Sequence, residues 1–288
     1  MKPSVSEFVV IRGLRYHLRR WGAEGAPRLF FLHGWMDVGA AFQFVVDALE
    51  GEWQVIAPDW RGFGESEWTG RPYWFPDYLA DLDALLTHYS PDEPARLVGA
   101  SMGGNVACLY AGTRPQRVAR VATLEGFGLA PTDPAEAPQR LRSWLEQLAA
   151  GAVFRHYPDY DALAARLRRD NPRLNAARAE FLARHLGRGR DDGGVELSAD
   201  PCHKLLNPIL YRIEEVKACW RNISAPLLWV VGRESPLIRR FIAHDDDYRD
   251  RLGCFRDVRE VVVDDAGHNL HYEQPERVAR LVEDFIAA

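Results

Sequence analysis

The chain has 288 residues and a formal net charge of −5 at pH 7, so it is long enough for one large α/β domain or two small ones with a substantial core. The mild charge and the lack of a basic stripe argue against a nucleic-acid partner, and no apolar run approaches the roughly 20 residues that a membrane-spanning helix needs. The segment 1–7 has no signal-peptide apolar core, so we expect a cytoplasmic protein.

Strands and helices alternate through the first 127 residues. Alternating apolar residues predict strands, and apolar residues spaced three or four apart predict helices. In chain order the predicted elements are a β-hairpin over 7–21 that turns at Arg12-Gly13, a strand over 28–32, a helix over 40–49, a strand over 53–57, a helix over 75–89, a strand that ends at Ala100, a helix that ends near Arg114, and a strand over 119–124. This alternation indicates a parallel sheet covered on both faces.

The alternation stops over 128–222, where prolines punctuate the chain and the pattern is helical. Three apolar faces predict three helices, and no strand signal interrupts them. The faces consist of Leu141, Trp144, Leu145 and Leu148, of Tyr160, Leu163, Ala164 and Leu167, and of Leu174, Ala177, Phe181 and His185. We interpret 128–222 as a helical cap inserted into a core that comprises 1–127 and 223–288.

The sheet resumes after the cap. Strands are predicted over 226–232 and 258–263, and helices over 237–252 and 275–286. Counted with the hairpin and the strands before the cap, this gives a mostly parallel sheet of eight strands with helices on both faces.

Ser101 lies in a Gly-x-Ser-x-Gly pattern between a buried strand and a helix. This order predicts a nucleophile in a strained turn, where Gly99 and Gly103 are needed because a Cβ would clash. The following helix would point its N-terminal amides at a developing oxyanion. His268 follows the last strand, so it should reach the same sheet edge and act as the base. The chain order serine, acid, histidine fits this arrangement.

These motifs resemble those of the α/β-hydrolase superfamily. The matching pieces, in order, are His33-Gly34-Trp35, Asp59-x-Arg61-Gly62-x-Gly64-x-Ser66, Gly99-x-Ser101-x-Gly103-Gly104 and Ala266-Gly267-His268. The chain is also similar to the serine-hydrolase-like branch, through His33-Gly34-Trp35-Met36-Asp37 and Gly193-Gly194-Val195-Glu196-Leu197. The resemblance implies the α/β-hydrolase fold and an oxyanion hole formed by the backbone N–H groups of Trp35 and Met102.

The acid that should orient His268 departs from the usual pattern of the superfamily. An aspartate usually follows the glycine that ends the next-to-last strand, but the slot after Gly232 holds Ser235, which has no charge. The neighbouring Glu234 is one alternative. Some branches place the acid after the preceding strand, where Glu125 lies. We expect Glu125 to be the acid, because a glutamate reaches one methylene farther than an aspartate. Glu234 lies one residue before the usual slot, and such a shift tends to turn a side chain in another direction.

Other conspicuous side chains have plainer interpretations. His33 is expected to be a structural loop residue, and Asp59 with Arg61 to brace a loop beside the elbow. The acidic run 244–247, which begins with His244, is expected to be a solvated patch and not a metal site. The four scattered cysteines, which form no Cys-x-x-Cys pair, are expected to be free thiols: Cys108, Cys202, Cys219 and Cys254.

The predicted activity is that of a cofactor-independent serine hydrolase, resembling a carboxylesterase, that cleaves an ester or thioester of a small, largely apolar acid. Trp35, Phe127 and Trp144 are candidate walls of its substrate pocket, although core packing would explain each of them. The same triad would also support C–C bond hydrolysis. The altered acid slot motivates a further alternative, a ligand-binding protein on the hydrolase fold that turns over little. Neither a metal nor an oligomeric state is indicated.

Overall fold

The computed structural model describes residues 1–191, 193–242 and 245–287. Within these ranges ten strands occur, in chain order: β1 (Ser4–Ile11), β2 (Leu14–Trp21), β3 (Arg28–Leu32), β4 (Gln54–Pro58), β5 (Ala95–Ala100), β6 (Val118–Leu124), β7 (Gly187–Gly189), β8 (Val195–Leu197), β9 (Leu227–Gly232) and β10 (Val258–Val263). Eight of them form one sheet in the order β1-β2-β4-β3-β5-β6-β9-β10. The predicted eight-stranded sheet is confirmed.

The sheet is parallel except at one edge. β1 and β2 form the predicted antiparallel hairpin, and β2 is antiparallel to β4. From β4 to β10 every neighbouring pair is parallel, including β5 with β3 and with β6. The carboxyl ends of β3, β5, β6, β9 and β10 therefore share one edge, where open α/β sheets build their sites.

Helices cover both faces of this sheet. They are α1 (Gln43–Ala48), α2 (Phe75–Tyr89), α3 (Met102–Thr113), α4 (Ala137–Ala150), α5 (Tyr160–Asp170), α6 (Ala176–Leu186), α7 (Ile213–Arg221), α8 (Pro236–Phe241), α9 (Asp245–Leu252), α10 (Leu270–Glu273) and α11 (Pro275–Ala287). Adjacent residues of β5 point to opposite faces: Leu97 packs in the cluster that includes Val106 of α3, and Val98 in the one that includes Val282 of α11. The sheet is thus buried on both sides.

The cap is not purely helical, which corrects the expectation that no strand interrupts it. β7 and β8 form a small antiparallel hairpin, and isolated bridges join Tyr157 to Val195 and Phe63 of the core to Ala199. Each of these strands has three residues, too few for alternation to be visible in the sequence, and β7 is a Gly-Arg-Gly segment with low strand propensity.

The end of the predicted cap packs on the core. Trp220 of α7 is fully buried against Trp229 of β9, with ring centroids 6.2 Å apart, and a Cβ on Gly112 of α3 would lie 2.0 Å from the carbonyl oxygen of Cys219. We therefore propose that the cap ends before Ile213 and not at residue 222. Within the described ranges, no helix has the length and apolar character that crossing a bilayer requires.

Candidate active site

Ser101 occupies a strained turn between β5 and α3. Its φ is +50° and its ψ −114°, values that a non-glycine residue rarely adopts. The turn is tight enough that a Cβ on Gly99 would lie 2.4 Å from the carbonyl carbon of Gly103, and one on Gly103 would lie 2.0 Å from the carbonyl oxygen of Leu32. Only glycine fits at these two positions, which accounts for the Gly-x-Ser-x-Gly pattern.

The structure brings His268 and Glu125 together at the edge where Ser101 lies. Nδ1 of His268 is 3.2 Å from Oε2 of Glu125, whose side chain is fully buried. The same carboxylate accepts a 2.7 Å hydrogen bond from the backbone N–H of Gly232 at Oε1 and a hydrogen bond from the hydroxyl of Ser235 at Oε2. Glu125 is therefore held as an acceptor facing the imidazole.

Glu234, the alternative acid, makes a different contact. Its side chain is 51% exposed and forms an ion pair with Arg173, which precedes α6 in the cap. Arg173 also lies 3.8 Å from Glu273. Glu234 thus links core and cap at the surface. The carboxylate beside His268 is that of Glu125.

Backbone strain is concentrated around this edge. Five non-glycine residues of the described chain have positive φ, and one of them, Arg12, is in the hairpin turn. The other four lie in loops that follow β3, β5, β6 and β10: Met36 (+59°), Ser101 (+50°), Glu125 (+60°) and Asp265 (+53°). Such conformations cost about 1–3 kcal/mol each and tend to occur at functional sites.

A protein-family model described as the alpha/beta hydrolase fold matches residues 27–275 of the chain. The chain belongs to this α/β-hydrolase family.

Three known proteins similar to this α/β hydrolase over nearly its whole length are named as hydrolases or as a thioesterase. The "Serine hydrolase-like protein" of Danio rerio is 28% identical over 278 residues, which cover 92% of this chain and 83% of the relative. The "3-hydroxybutyrate-oligomer hydrolase" of Cupriavidus necator is 29% identical over 293 residues, which cover 96% and 93%. The solved thioesterase domain from the curacin biosynthetic pathway has a TM-score of 0.84 at 25% identity and covers 97% of this chain and 99% of its own. This chain is a hydrolase.

Beside the elbow of this α/β hydrolase lies a cavity of about 180 Å³. It is smaller than the roughly 300–1,000 Å³ of sites for drug-sized ligands, so it suits a short substrate group. The core contributes Gly34, Trp35, Met36, Asp37, Ala100, Ser101, His268, Asn269, His271 and Tyr272, and the cap contributes Leu167 and Leu186. Ser101 and His268 therefore open on the same small space.

Only one of the three predicted pocket aromatics lines this cavity. Trp35 does, and it is half exposed. Phe127 is instead buried in the core near Trp229, with ring centroids 6.5 Å apart. Trp144 of α4 does not line this cavity; its side chain is half-buried and its indole Nε1 is buried, while its neighbour Leu145 is exposed. Phe127 and Trp144 are therefore not walls of this cavity, which corrects that expectation: an apolar helix face alone does not show which cap helices line it.

The residues expected to form the oxyanion hole lie at this edge. Met102 is the first residue of α3, so its N–H has no acceptor within the helix and lies at the positive end of the helix dipole. Trp35 follows β3 in the loop that turns at Met36.

The charged motif residues of the hydrolase brace loops. Nε2 of His33 accepts the backbone N–H of Trp60 at 2.8 Å, Nδ1 of His33 lies 2.7 Å from the carbonyl oxygen of Gly34, and burial lowers the pKa of His33, so the ring is neutral. Asp59 accepts the N–H of Gly39 at 2.7 Å, and Nη2 of Arg61 donates to the buried Asp81 at 2.6 Å. These contacts fix the loops on either side of the elbow.

The acidic run is only partly a solvated patch. His244 lies outside the described residues. Asp246 pairs with Arg249 at the surface, but Asp247 pairs with the buried Arg251, whose Nη1 donates to the carbonyl oxygen of Phe127 at 2.9 Å. In the part of the chain that the structure describes, no three potential ligand side chains are grouped as a metal site, and the four cysteines are free.

The sequence interpretation missed the role of two sets of residues. In the sequence Ser235 is only an uncharged slot, whereas in the structure its hydroxyl donates to Glu125. Leu167, Asp37 and His271 line the cavity, which no motif in the sequence indicates.

Proposed function

We propose that this α/β hydrolase cleaves esters or thioesters of small acids through Ser101, His268 and Glu125 and without a cofactor. The observation that carries the proposal is the contact of the His268 imidazole with the buried carboxylate of Glu125. His268 lines the same cavity as Ser101, the strained serine of the elbow. The names of the relatives support the class: a hydrolase of hydroxybutyrate oligomers and a thioesterase both act on acyl groups bonded to oxygen or sulfur.

The acylation step follows from the chemistry of these groups. His268 accepts the hydroxyl proton of Ser101 as Oγ attacks the carbonyl carbon, and Glu125 accepts the N–H of the imidazolium that forms. The backbone N–H groups of Trp35 and Met102 would stabilise the oxyanion, and each such donor contributes about 3–4 kcal/mol in the transition state. His268 then protonates the leaving alcohol or thiol, which leaves an acyl group on Ser101.

Hydrolysis of the acyl-enzyme reverses these roles. A water molecule gives a proton to His268 and attacks the acyl carbon, and the tetrahedral intermediate collapses with return of that proton to Ser101 Oγ. The carboxylic acid leaves and the enzyme is regenerated. The altered acid slot motivates the low-turnover alternative, and the contact of Glu125 with His268 supports turnover instead. C–C hydrolysis stays an alternative prediction, which a substrate panel tests.

Covalent labelling tests the nucleophile. A fluorophosphonate probe reacts with an activated serine, so mass spectrometry should find the adduct on the peptide that contains Ser101. Ser101→Ala should remain folded, resist labelling and lose at least about 10³-fold in kcat on nitrophenyl esters and thioesters. Ser143→Ala, at a serine on α4, is the matched control and should label normally. An adduct elsewhere, or full activity of Ser101→Ala, contradicts the proposal.

A further inference from the structure

The loop that carries His268 is held by a carboxylate that follows it in the chain. Oε2 of Glu273 accepts the backbone N–H of Gly267 at 2.5 Å, and Gly267 is the residue directly before His268. Glu273 ends the short helix α10, so the chain turns back and this hydrogen bond closes a loop around His268. The side chain of Glu273 is only 3% exposed. A hydrogen bond to a carboxylate that is kept from water restricts the backbone that donates it.

Close packing adds to this restraint. A Cβ on Gly267 would lie 3.2 Å from Oε1 of Glu273, so the backbone lies directly against the carboxylate. Two residues earlier, Asp265 has a φ of +53°, a strained conformation that persists only where the surroundings hold it. The side-chain amide of Gln274 donates to the carbonyl oxygen of Asp265 at 3.2 Å. The backbone before His268 is thus fixed by side chains that come after it.

The cap orients the same carboxylate. Nδ2 of Asn171 donates to Oε1 of Glu273 at 3.0 Å, and Nε of Arg173 lies 3.8 Å from Oε2. Both cap residues lie between α5 and α6, the helices that contribute Leu167 and Leu186 to the cavity. Each oxygen of the carboxylate therefore has a partner in the cap, which fixes its orientation toward the histidine loop.

Glu273 does not itself touch the reacting groups. The described residues that line the cavity do not include it, and its contact with the histidine loop is to a backbone N–H. His268, in contrast, has to lie within reach of both Ser101 and Oε2 of Glu125, which is 3.2 Å from its Nδ1. Misplacement of a catalytic group by about 1 Å costs about 10²-fold in rate, so a bond that fixes the backbone beside His268 should affect kcat.

We propose that Glu273 is a positioning residue, whose carboxylate holds the backbone at Gly267 so that the imidazole of His268 meets both Glu125 and Ser101. The inference rests on the proposed function and adds to it a residue outside the triad. An amide at position 273 would have one acceptor oxygen for partners that now share two, and its NH2 group would face other donors. The restraint on the histidine loop is then lost.

A glutamine at position 273 tests this role. In Glu273→Gln we expect kcat on a nitrophenyl ester to fall about tenfold or more while KM changes less than about twofold, because the histidine moves and the cavity wall does not. Glu283→Gln is the matched control, since Glu283 also accepts backbone N–H groups, those of Glu50 and Gly51, but before the amino end of β4. It should lower the free energy of unfolding in urea and keep the wild-type kcat. A folded Glu273→Gln with the wild-type kcat overturns the inference.

A background without the histidine separates positioning of His268 from general support of the fold. In His268→Ala, adding Glu273→Gln should change the residual kcat less than about twofold, because no imidazole is left to align. A further loss of about tenfold in this background would show that Glu273 acts through the fold, and it overturns the inference.

Glu273→Asp decides the matter if Glu273→Gln does not fold. The aspartate keeps the charge but is one methylene short of the N–H of Gly267, so kcat should again fall about tenfold with little change in KM. Loss of the fold in both variants makes the carboxylate structural and overturns the inference. Failure of wild type to cleave any ester or thioester, or a full kcat in His268→Ala, rejects the proposed function itself. An active wild type, an inactive His268→Ala and an unaffected Glu273→Gln together reject only the positioning role.

Discussion

The hydroxyl of Ser235 donates a hydrogen bond to Oε2 of Glu125, the same oxygen that lies 3.2 Å from Nδ1 of His268. Ser235 occupies the loop slot where the superfamily resemblance places an acid. The side chain in that slot thus contacts Glu125, which follows the neighbouring strand β6, and the carboxylate of Glu125 lies beside the histidine. A hydrogen bond to a charged acceptor contributes about 1.5–3 kcal/mol, enough to hold a buried carboxylate in one orientation.

The first prediction separates the two candidate acids. Glu125→Gln should lower kcat by about 10⁴-fold, because an amide does not stabilise the imidazolium and can hold the ring in the wrong tautomer. Glu234→Gln is the matched control and should change kcat little, since its ion pair with Arg173 is at the surface. Steady-state kinetics on a nitrophenyl ester decides. A large loss of kcat in Glu234→Gln, together with an unchanged kcat in Glu125→Gln, would show that Glu234 is the acid.

The second prediction concerns relocation of the acid from the loop after β6 to the loop after β9. Glu125→Ala should be nearly inactive, and adding Ser235→Asp should restore kcat at least about tenfold, because the new carboxylate starts from a position whose side chain already reaches the site of the old one. Ser235→Asn in the same background adds an isosteric side chain without charge and should restore nothing. Equal recovery with Asn and Asp would mean that filled space, and not charge, is what His268 requires.

The third prediction concerns chain length. Leu167→Ala enlarges the cap side of the cavity, so kcat/KM should shift toward longer acyl chains by about fourfold for each additional methylene that becomes buried. Trp144→Ala, at a half-buried side chain of α4 that does not line the cavity, should leave the profile across a series of nitrophenyl esters unchanged. The opposite result, a shift with Trp144→Ala alone, would restore Trp144 as a pocket wall.

The fourth prediction is a loss of stability in acid that depends on His203. Its ring is stacked between Phe63 and Tyr73 at centroid distances of 3.8 and 3.7 Å, and burial lowers its pKa to about 4. The unfolded chain, with a histidine pKa of about 6.5, takes up the proton first as the pH falls. The free energy of unfolding should therefore be highest above about pH 6.5 and should fall as the pH drops toward 4. His203 alone should lower it by about 2 kcal/mol at pH 5 relative to neutral pH.

Urea unfolding of wild type and His203→Phe at pH 5 and pH 7 measures this dependence. The variant keeps the aromatic stack and should lose less stability between the two pH values. It should retain part of the dependence, because burial also lowers the pKa of His185 to about 4. His88→Phe, at an exposed position, serves as the control. An acid sensitivity that is identical in wild type and His203→Phe would show that His203 is not its source.

Local sequence was enough to determine the core sheet and its elbow. Alternating strands and helices specify a buried parallel sheet, and the elbow glycines are visible because no other residue fits their backbone contacts. The small hairpin of β7 and β8 was not predictable in this way, since three-residue strands are formed by their partners and not by their own pattern.

Only the tertiary structure decided which of these residues meet. The sequence favours Glu125 over Glu234 through its reach and through the one-residue shift of Glu234. The contact with His268 depends on Gly232 and Ser235, more than 100 positions away, which fix the carboxylate. The same limit explains Trp144: an amphipathic face shows that a helix has an apolar side but not which surface that side meets. Asp37 and His271, 234 residues apart in sequence, become one pair because the loops after β3 and β10 end at the same sheet edge.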